Sequence, residues 1–322
     1  MKSDFFEQVL TGVKRVCITG HVKPDGDCVG SCLGLKNYLA DNFPQMQADV
    51  YLDPYEPSFS FMRYEDQVKH SDSSIQFYDL FISLDCADLE RIGLGKKYFQ
   101  TADRTLCIDH HVSNPGYAGQ NYILPDTSAC AEILYQLFDK EKIGKETAEC
   151  LYTGIAHDTG IFKYSNVTGD TMRAAADLID RGIPFDEILT DTILTKSYVQ
   201  QQMLAEALQT SMLFLDGRCI YSYIRLKTME QRGATIQDTH GIVEKLRDTK
   251  GVDCAIFAYE VAPGQYKVST RSKQIVDVNV LCNQFGGGGH VRAAGCSISG
   301  TCHDVINGIL PFVEKQLQEN KG

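Results

Sequence analysis

In the first half of the chain, apolar residues come in short β-branched runs, several of which close on an acid. Residues 13–20 (Val-Lys-Arg-Val-Cys-Ile-Thr-Gly), 48–53, 79–85 (Asp-Leu-Phe-Ile-Ser-Leu-Asp) and 104–109 (Arg-Thr-Leu-Cys-Ile-Asp) read as strands. Helical spacing appears at 28–41, where Leu33, Leu35, Tyr38 and Leu39 supply the apolar positions, and again at 128–140, 145–157 and 168–181. Strands that alternate with helices predict an α/β fold with a parallel sheet covered on both faces. Ligands of such sheets collect beyond the carboxyl ends of the strands, where the acids of this chain fall.

From about 186 to 212 the pattern turns helical and polar, which suits a connecting helix. New strand signals follow at 219–224, 252–261 and 265–271. Helices are predicted at 237–248, 276–285 and 303–318, the last repeating Val305, Ile306, Ile309, Leu310, Val313 and Leu317. The chain has 322 residues, more than one core usually serves. The expected organisation is a catalytic domain over 1–185, a helical linker over 186–214 and a smaller α/β domain over 215–322, with a cleft between the lobes.

Four motifs carry candidate chemistry. His21, Asp25 and Asp27 flank a Pro-Asp-Gly turn, in which Pro24 restricts the backbone and Gly26 allows a tight path between the two acids. Asp85 ends an apolar run, so its carboxylate is poorly hydrated and suited to bridging cations; Asp88 is the better cap for the segment after it. Asp109-His110-His111 offers two adjacent imidazoles that cannot point the same way, one for metal and one for substrate. Asp158 sits where a helix breaks at Gly160, and a negative charge at a helix C-terminus calls for a compensating cation. His157 reads as a core or surface residue, and Asp126-Thr127-Ser128 as ordinary helix capping.

These donors are rich in oxygen and imidazole and contain no thiolate, which suits hard divalent ions, Mn²⁺ best and Mg²⁺ or Co²⁺ as substitutes. Two such ions side by side lower the pKa of water and neutralise phosphate charge. Farther along, Gly286 to Gly289 precede His290. Four glycines in succession let backbone N–H groups approach an anion, and Arg271, at the end of a strand, could grip the same anion bidentately.

The formal net charge of −11 argues against a protein that coats long duplex DNA, yet bound cations would reverse the local sign and draw in small phosphates. Twelve cysteines are scattered without a Cys-x-x-Cys pair, so they read as buried free thiols in a reducing cytoplasm. Asp4 and Glu7 interrupt the N-terminal apolar residues, and no long apolar stretch follows, so neither a signal peptide nor a membrane span is expected.

Taken together, the four N-terminal motifs resemble the DHH phosphoesterase family, named for the triplet at Asp109 to His111, and the glycine-rich segment ending in His290 resembles its associated C-terminal domain. Chain length is most similar to the branch that combines oligoribonuclease and 3′-phosphoadenosine-5′-phosphate phosphatase activities, the nanoRNases. The resemblance implies that His21, Asp25 and Asp85 hold one metal and that Asp27, Asp85, His110 and Asp158 hold the other. It also implies that His111, Arg271, Gly287, Gly288, Gly289 and His290 contact the substrate phosphate. Asp85 and His111 would act in the chemistry on short RNA oligonucleotides or nucleotide phosphates, within a homodimer. The family usually has Ala where Cys28 stands. Alternatives are a phosphodiesterase of cyclic or linear dinucleotide signals, an inorganic pyrophosphatase, and a nucleotide-binding protein without catalysis.

Overall fold

A computed structural model of the chain describes residues 5–71 and 76–319, so Asp4 lies outside the described residues. The chain forms two compact units, Met1–Thr195 and Lys196–Gly322. Residues 186–214 divide between them. Phe185–Leu189 and Thr190–Leu194 are short helical turns with Ile188 in the first core, whereas Tyr198–Gln209 packs Met203 and Ala207 into the second.

In the first unit the order is β1 (Arg15–Thr19), α1 (Gly26–Asn42), β2 (Gln47–Tyr51), β3 (Leu80–Leu84), β4 (Arg104–Asp109), β5 (Gln120–Ile123), α2 (Cys130–Leu137), α3 (Lys145–Asp158) and α4 (Gly169–Ile179). The five strands form a parallel sheet in the order β2-β1-β3-β4-β5. Val16, Ile18, Leu80 and Ile82 face a core built with α1, α2 and α3, while Cys17 and Phe81 face a second core of Tyr51, Tyr78 and Tyr98. With both faces buried, the strands read as continuous apolar runs rather than alternating ones. The edge strand β5 escapes the sequence pattern because it is only four residues long and begins with exposed Gln120 and Asn121.

The strand order places the functional motifs. The chain passes from β1 to β2 on one side, and β3 returns to the other side of β1. This reversal opens a crevice at the carboxyl ends of β1 and β3, the usual ligand position of an open α/β sheet. His21, Asp25 and Asp27 follow β1, Asp85 follows β3, and His110 and His111 follow the adjacent β4.

The second unit contains α5 (Tyr198–Gln209), β6 (Met212–Phe214), β7 (Cys219–Ile224), α6 (Ile242–Arg247), β8 (Cys254–Ala262), β9 (Gln265–Ser272), α7 (Val278–Asn283), β10 (Gly288–His290), β11 (Ala293–Ser299) and α8 (Cys302–Glu319). Its sheet runs β10-β11-β9-β8-β7-β6, with β7 and β8 parallel and the other pairs antiparallel. One face buries Tyr221, Ile256 and Val268 together with residues of α7 and α8, and the other buries Ile220, Ala255 and Phe257 together with residues of α5 and α6. The helix expected over 237–248 is interrupted. Ile236–Thr239 is a single 3-10 turn, and Gly241, at φ +82°, separates it from α6.

All twelve cysteines are free and buried. Among the described residues no helix is long and apolar enough to cross a membrane.

Candidate metal centre

Asp25 caps α1, its Oδ1 accepting the N–H groups of Asp27 and Cys28, so the helix starts two residues earlier than its apolar spacing suggests. The cap aims the first turn inward, and Asp27 becomes fully buried. Its carboxylate accepts the N–H groups of Cys130 (2.6 Å) and Ala131 (2.9 Å) at the start of α2, and the Ser31 hydroxyl at 3.1 Å. A helix N-terminus thereby supports the acid. This corrects the capping expectation for Asp126-Thr127-Ser128, since the α2 N-cap is Ala129 and makes no side-chain bond. Ser128 instead donates to Glu132, and the Thr127 carbonyl faces Nδ1 of His110 at 3.3 Å.

Asp85 stands at the centre, almost fully buried, with φ at +52°. Its two oxygens face opposite ways. Oδ2 lies 3.4 Å from Nε2 of His21, which is itself 3.6 Å from Oδ1 of Asp25. Oδ1 lies 3.4 Å from Nε2 of His110, which is 3.1 Å from Asp158 and 4.0 Å from Asp27. Both histidines turn Nδ1 to a backbone carbonyl, Val22 for His21 (2.8 Å) and Thr127 for His110. That bond selects the tautomer whose Nε2 lone pair is free for a cation.

Asp109 is fully buried and serves its neighbours. It accepts the His110 N–H and Nδ1 of His111 on Oδ1, both at 2.8 Å, and Nδ2 of Asn114 on Oδ2 at 2.6 Å. His111, more exposed than His110, is thus oriented with Nε2 unclaimed by that bond. Asp158 closes α3. After it Gly160, Ile161 and Phe162 all take left-handed φ values of 55–59°, held by Ile161 N–H to the Ala156 carbonyl and Phe162 N–H to the Thr159 hydroxyl. A β-branched residue in that region is strained, and such strain gathers at functional sites. His157 turns away to Thr192 at 3.0 Å.

Burial alone would lower the pKa values of His21 and His110, but their carboxylate neighbours more than reverse this and lift both to about 12. Asp27 and Asp158 are pushed up, first by burial and then by neighbouring acids. Burial would likewise raise Asp85, yet His110 and His21 bring it below the usual range. Without a cation these acids therefore share the site through protons held on the imidazoles.

The residues fit divalent ions on two counts. Oδ1 of Asp85 is buried without a hydrogen-bond partner, a costly arrangement that a cation removes. Asp25, Asp27, Asp85 and Asp158 carry charge enough to balance two divalent ions. Ligand atoms of His21, Cys28 and Asp85 lie within 4.8 Å of one another, as do those of Asp27, His110 and Asp158. The donor set is therefore not free of sulfur nearby, as it reads in the sequence. The first turn of α1 carries Cys28 inward, and burial holds its pKa well above the usual thiol value.

The second unit brings the remaining predicted residues together differently. His290, Ala293 and Arg271 are in register across β10, β11 and β9, so their side chains share one face. The Arg271 guanidinium is engaged by Glu244 of α6, Nε to Oε1 at 2.8 Å, rather than free at a strand end. Gly288 and Gly289 form β10 rather than a loop. A Cβ on Gly287 would sit 2.2 Å from the Gly295 carbonyl, and one on Gly289 2.5 Å from that of Ala293, so the glycines serve close hairpin pairing. His290 is exposed.

Residues 15–155 match the DHH family, N-terminal domain, and residues 216–319 match the DHHA1 domain. The chain is 30% identical over 283 residues to the bifunctional oligoribonuclease and PAP phosphatase NrnA of Bacillus subtilis (strain 168), covering 86% of this chain and 87% of that protein. The chain belongs to the DHH family of phosphoesterases. It is also 30% identical over 316 residues to the NrnA of Thermus thermophilus, covering 96% and 93% of the two chains. In fold it resembles an exopolyphosphatase-related protein from Bacteroides fragilis, with a TM-score of 0.89 at 24% identity over 99% of this chain and 97% of that one. DHH phosphoesterases are metal-dependent hydrolases of phosphate esters, which accords with the buried acid and imidazole cluster.

Sequence reasoning missed supporting residues of this DHH site. Asn114 had no signal, being one more polar residue in a loop. Gly154 had a faint one, a glycine inside a helical pattern. A Cβ there would lie 2.6 Å from Ala131 Cβ and 2.7 Å from Oδ1 of Asp27, so α3 approaches the acid only without a side chain.

Proposed function

We propose that this chain hydrolyses short oligoribonucleotides to mononucleotides, and 3′-phosphoadenosine 5′-phosphate to the nucleoside monophosphate, with two Mn²⁺ ions. The observation that carries the reading is the division of Asp85, one oxygen toward His21 and Asp25 and the other toward His110, Asp27 and Asp158. Ligation of one ion by His21, Asp25 and Asp85 and of the other by Asp27, Asp85, His110 and Asp158 is supported by these distances and by the buried, unpartnered Asp85 oxygen. Mixed imidazole and carboxylate donors favour Mn²⁺ over Mg²⁺.

When bound, paired divalent ions activate water near neutral pH and neutralise charge on the phosphoryl oxygens. The protein supplies the rest. The α2 N-terminus keeps Asp27 fixed, and the Val22 and Thr127 carbonyls hold the two ligand imidazoles in the required tautomer. The Asp109 hydrogen bond raises the pKa of His111 and orients its ring, so its outer nitrogen can carry a proton to the departing sugar oxygen. Arg271, the glycines Gly287 to Gly289 and His290 are assigned to the substrate phosphate, a role supported by the DHHA1 match and by the shared face of Arg271 and His290. NrnA relatives act, by name, as oligoribonuclease and PAP phosphatase, and the same pair of substrates is proposed here.

The deciding assay offers diribonucleotides, pentaribonucleotides, 3′-phosphoadenosine 5′-phosphate, cyclic and linear dinucleotide signals, and pyrophosphate, each with Mn²⁺ and with chelator. Metal-dependent release of mononucleotides from RNA is expected. Turnover confined to cyclic dinucleotides, or to pyrophosphate, would replace this reading with another.

A further inference from the structure

One buried thiol stands among the donors of the His21 position. Cys28, in the first turn of α1, is fully buried. Ligand atoms of His21, Cys28 and Asp85 lie within 4.8 Å of one another. Two donors on opposite sides of one ion span about 4.5 Å, so a single cation can reach all three. Gly20 makes room for the sulfur. A Cβ on Gly20 would lie 2.1 Å from Sγ of Cys28 and 3.3 Å from the Leu84 carbonyl oxygen. The sulfur therefore fills the side-chain space of the residue before His21, close to the residue before Asp85, where an alanine at position 28 would place no atom. Asp85 is only 2% exposed and has an oxygen without a hydrogen-bond partner, and His21 turns Nδ1 to the Val22 carbonyl, which leaves Nε2 for a cation. The group formed by Asp27, His110 and Asp158 contains no sulfur.

From this we infer that Cys28 is an additional, sulfur ligand of the ion at the His21 position, which gives the two positions of the centre unequal metal preferences. The inference rests on the ligation by His21, Asp25 and Asp85 proposed above. Coordination replaces the thiol proton, which leaves to solvent, with a metal–sulfur bond, and needs neither oxidant nor reductant. Thiolate is a soft donor that suits Zn²⁺ and Co²⁺, whereas Mn²⁺ and Mg²⁺ are better served by carboxylate and water oxygens. When Mn²⁺ is the only ion supplied, it fills both positions. Zn²⁺ or Co²⁺ added beside it displaces Mn²⁺ first at the His21 position, because only there does a sulfur reward the exchange. The Cys32 thiol, one turn farther along α1 and hydrogen-bonded to Cys28, steadies the sulfur from behind.

The test titrates the full-length, metal-free protein with Co²⁺, following the sulfur-to-cobalt charge-transfer band in the near ultraviolet and counting bound metal by mass spectrometry. The band should reach full height with one sulfur-ligated ion per chain and vanish in Cys28→Ala, in which every other cysteine is intact. In competition, the preference for Zn²⁺ over Mn²⁺ at this position should fall at least about tenfold in the same variant. Cys28→Ser, closer to cysteine in size, should also lose the band and serves if the alanine variant fails to fold. Two Co²⁺ ions bound without a band, or a band that persists in Cys28→Ala, would refute the sulfur ligand while the metal centre stood. If no Co²⁺ bound at all, the metal centre would fall, and the sulfur ligand with it. A band in a protein that turned over no RNA would keep the sulfur ligand and remove only the RNA reading.

Discussion

The two units treat their polar groups in opposite ways. In the first, acids and imidazoles from four separate segments are packed into a crevice where Asp27 and Asp85 are almost wholly removed from water. In the second, His290 stands exposed on an edge hairpin, and Arg271 is half-buried against Glu244. Buried carboxylates without enough partners destabilise a fold unless something else neutralises them, whereas exposed residues cost little. The first arrangement therefore calls for a charge supplied from outside, whereas the second is stable as it stands and meets substrate only under the function proposed above.

The sharpest way to break this contrast is Asp85→Ala. Hydrolysis should fall at least about a thousandfold and bound metal, counted by mass spectrometry, should drop, while circular dichroism stays near that of the parent. Full metal occupancy with retained turnover would remove the bridging role.

Next in size is pH. In the metal-free chain His21 and His110 hold protons up to about 12, far above the unfolded value of 6.5, so their stabilisation is complete below about 6.5 and lost as pH rises toward 12. Asp27 and Asp158, raised in the folded state, act in the same direction, because their ionisation above the unfolded pKa disfavours the fold. Melting temperature without metal should thus decline from neutral to alkaline pH. Metal must displace the protons, so Mn²⁺ affinity and the stabilisation it confers should increase with pH, and calorimetry in two buffers should detect proton release. A metal affinity that weakens with rising pH over the same range would contradict the assignment.

Smaller again is Gly154→Ala. Its methyl must displace Ala131 or the Asp27 carboxylate, which should cost about 1–3 kcal/mol in denaturant unfolding and weaken metal binding as well. Loss of stability with metal affinity intact would mean that α3 shifts without disturbing Asp27. The smallest effect is expected in the second unit. Glu244→Gln removes a partly exposed ion pair, which should change stability by less than about 1 kcal/mol and KM for nucleotide substrates only two- to threefold, leaving metal content unchanged.

Much was legible before folding was known. Apolar runs ending on Asp85 and Asp109, and the Pro-Asp-Gly turn between His21 and Asp27, revealed strands and their order along the chain, because burial on both faces and turn chemistry are local properties; which acids and imidazoles group together came from the family resemblance. The free thiols were equally clear. Three things were decided only by tertiary packing: that Asp27 rather than Ser128 supports the start of α2, that Gly154 makes room for it, and that Glu244 claims Arg271. Each joins residues from different elements, over 100 positions apart for Asp27 and α2. The hairpin of β10 and β11 was hidden for a different reason. Glycines give no side-chain alternation, so only pairing with β11 shows that they are a strand. Periodicity and turn chemistry act between neighbours along the chain and can be read from it, whereas the partner of a buried charge depends on which backbone happens to pass beside it.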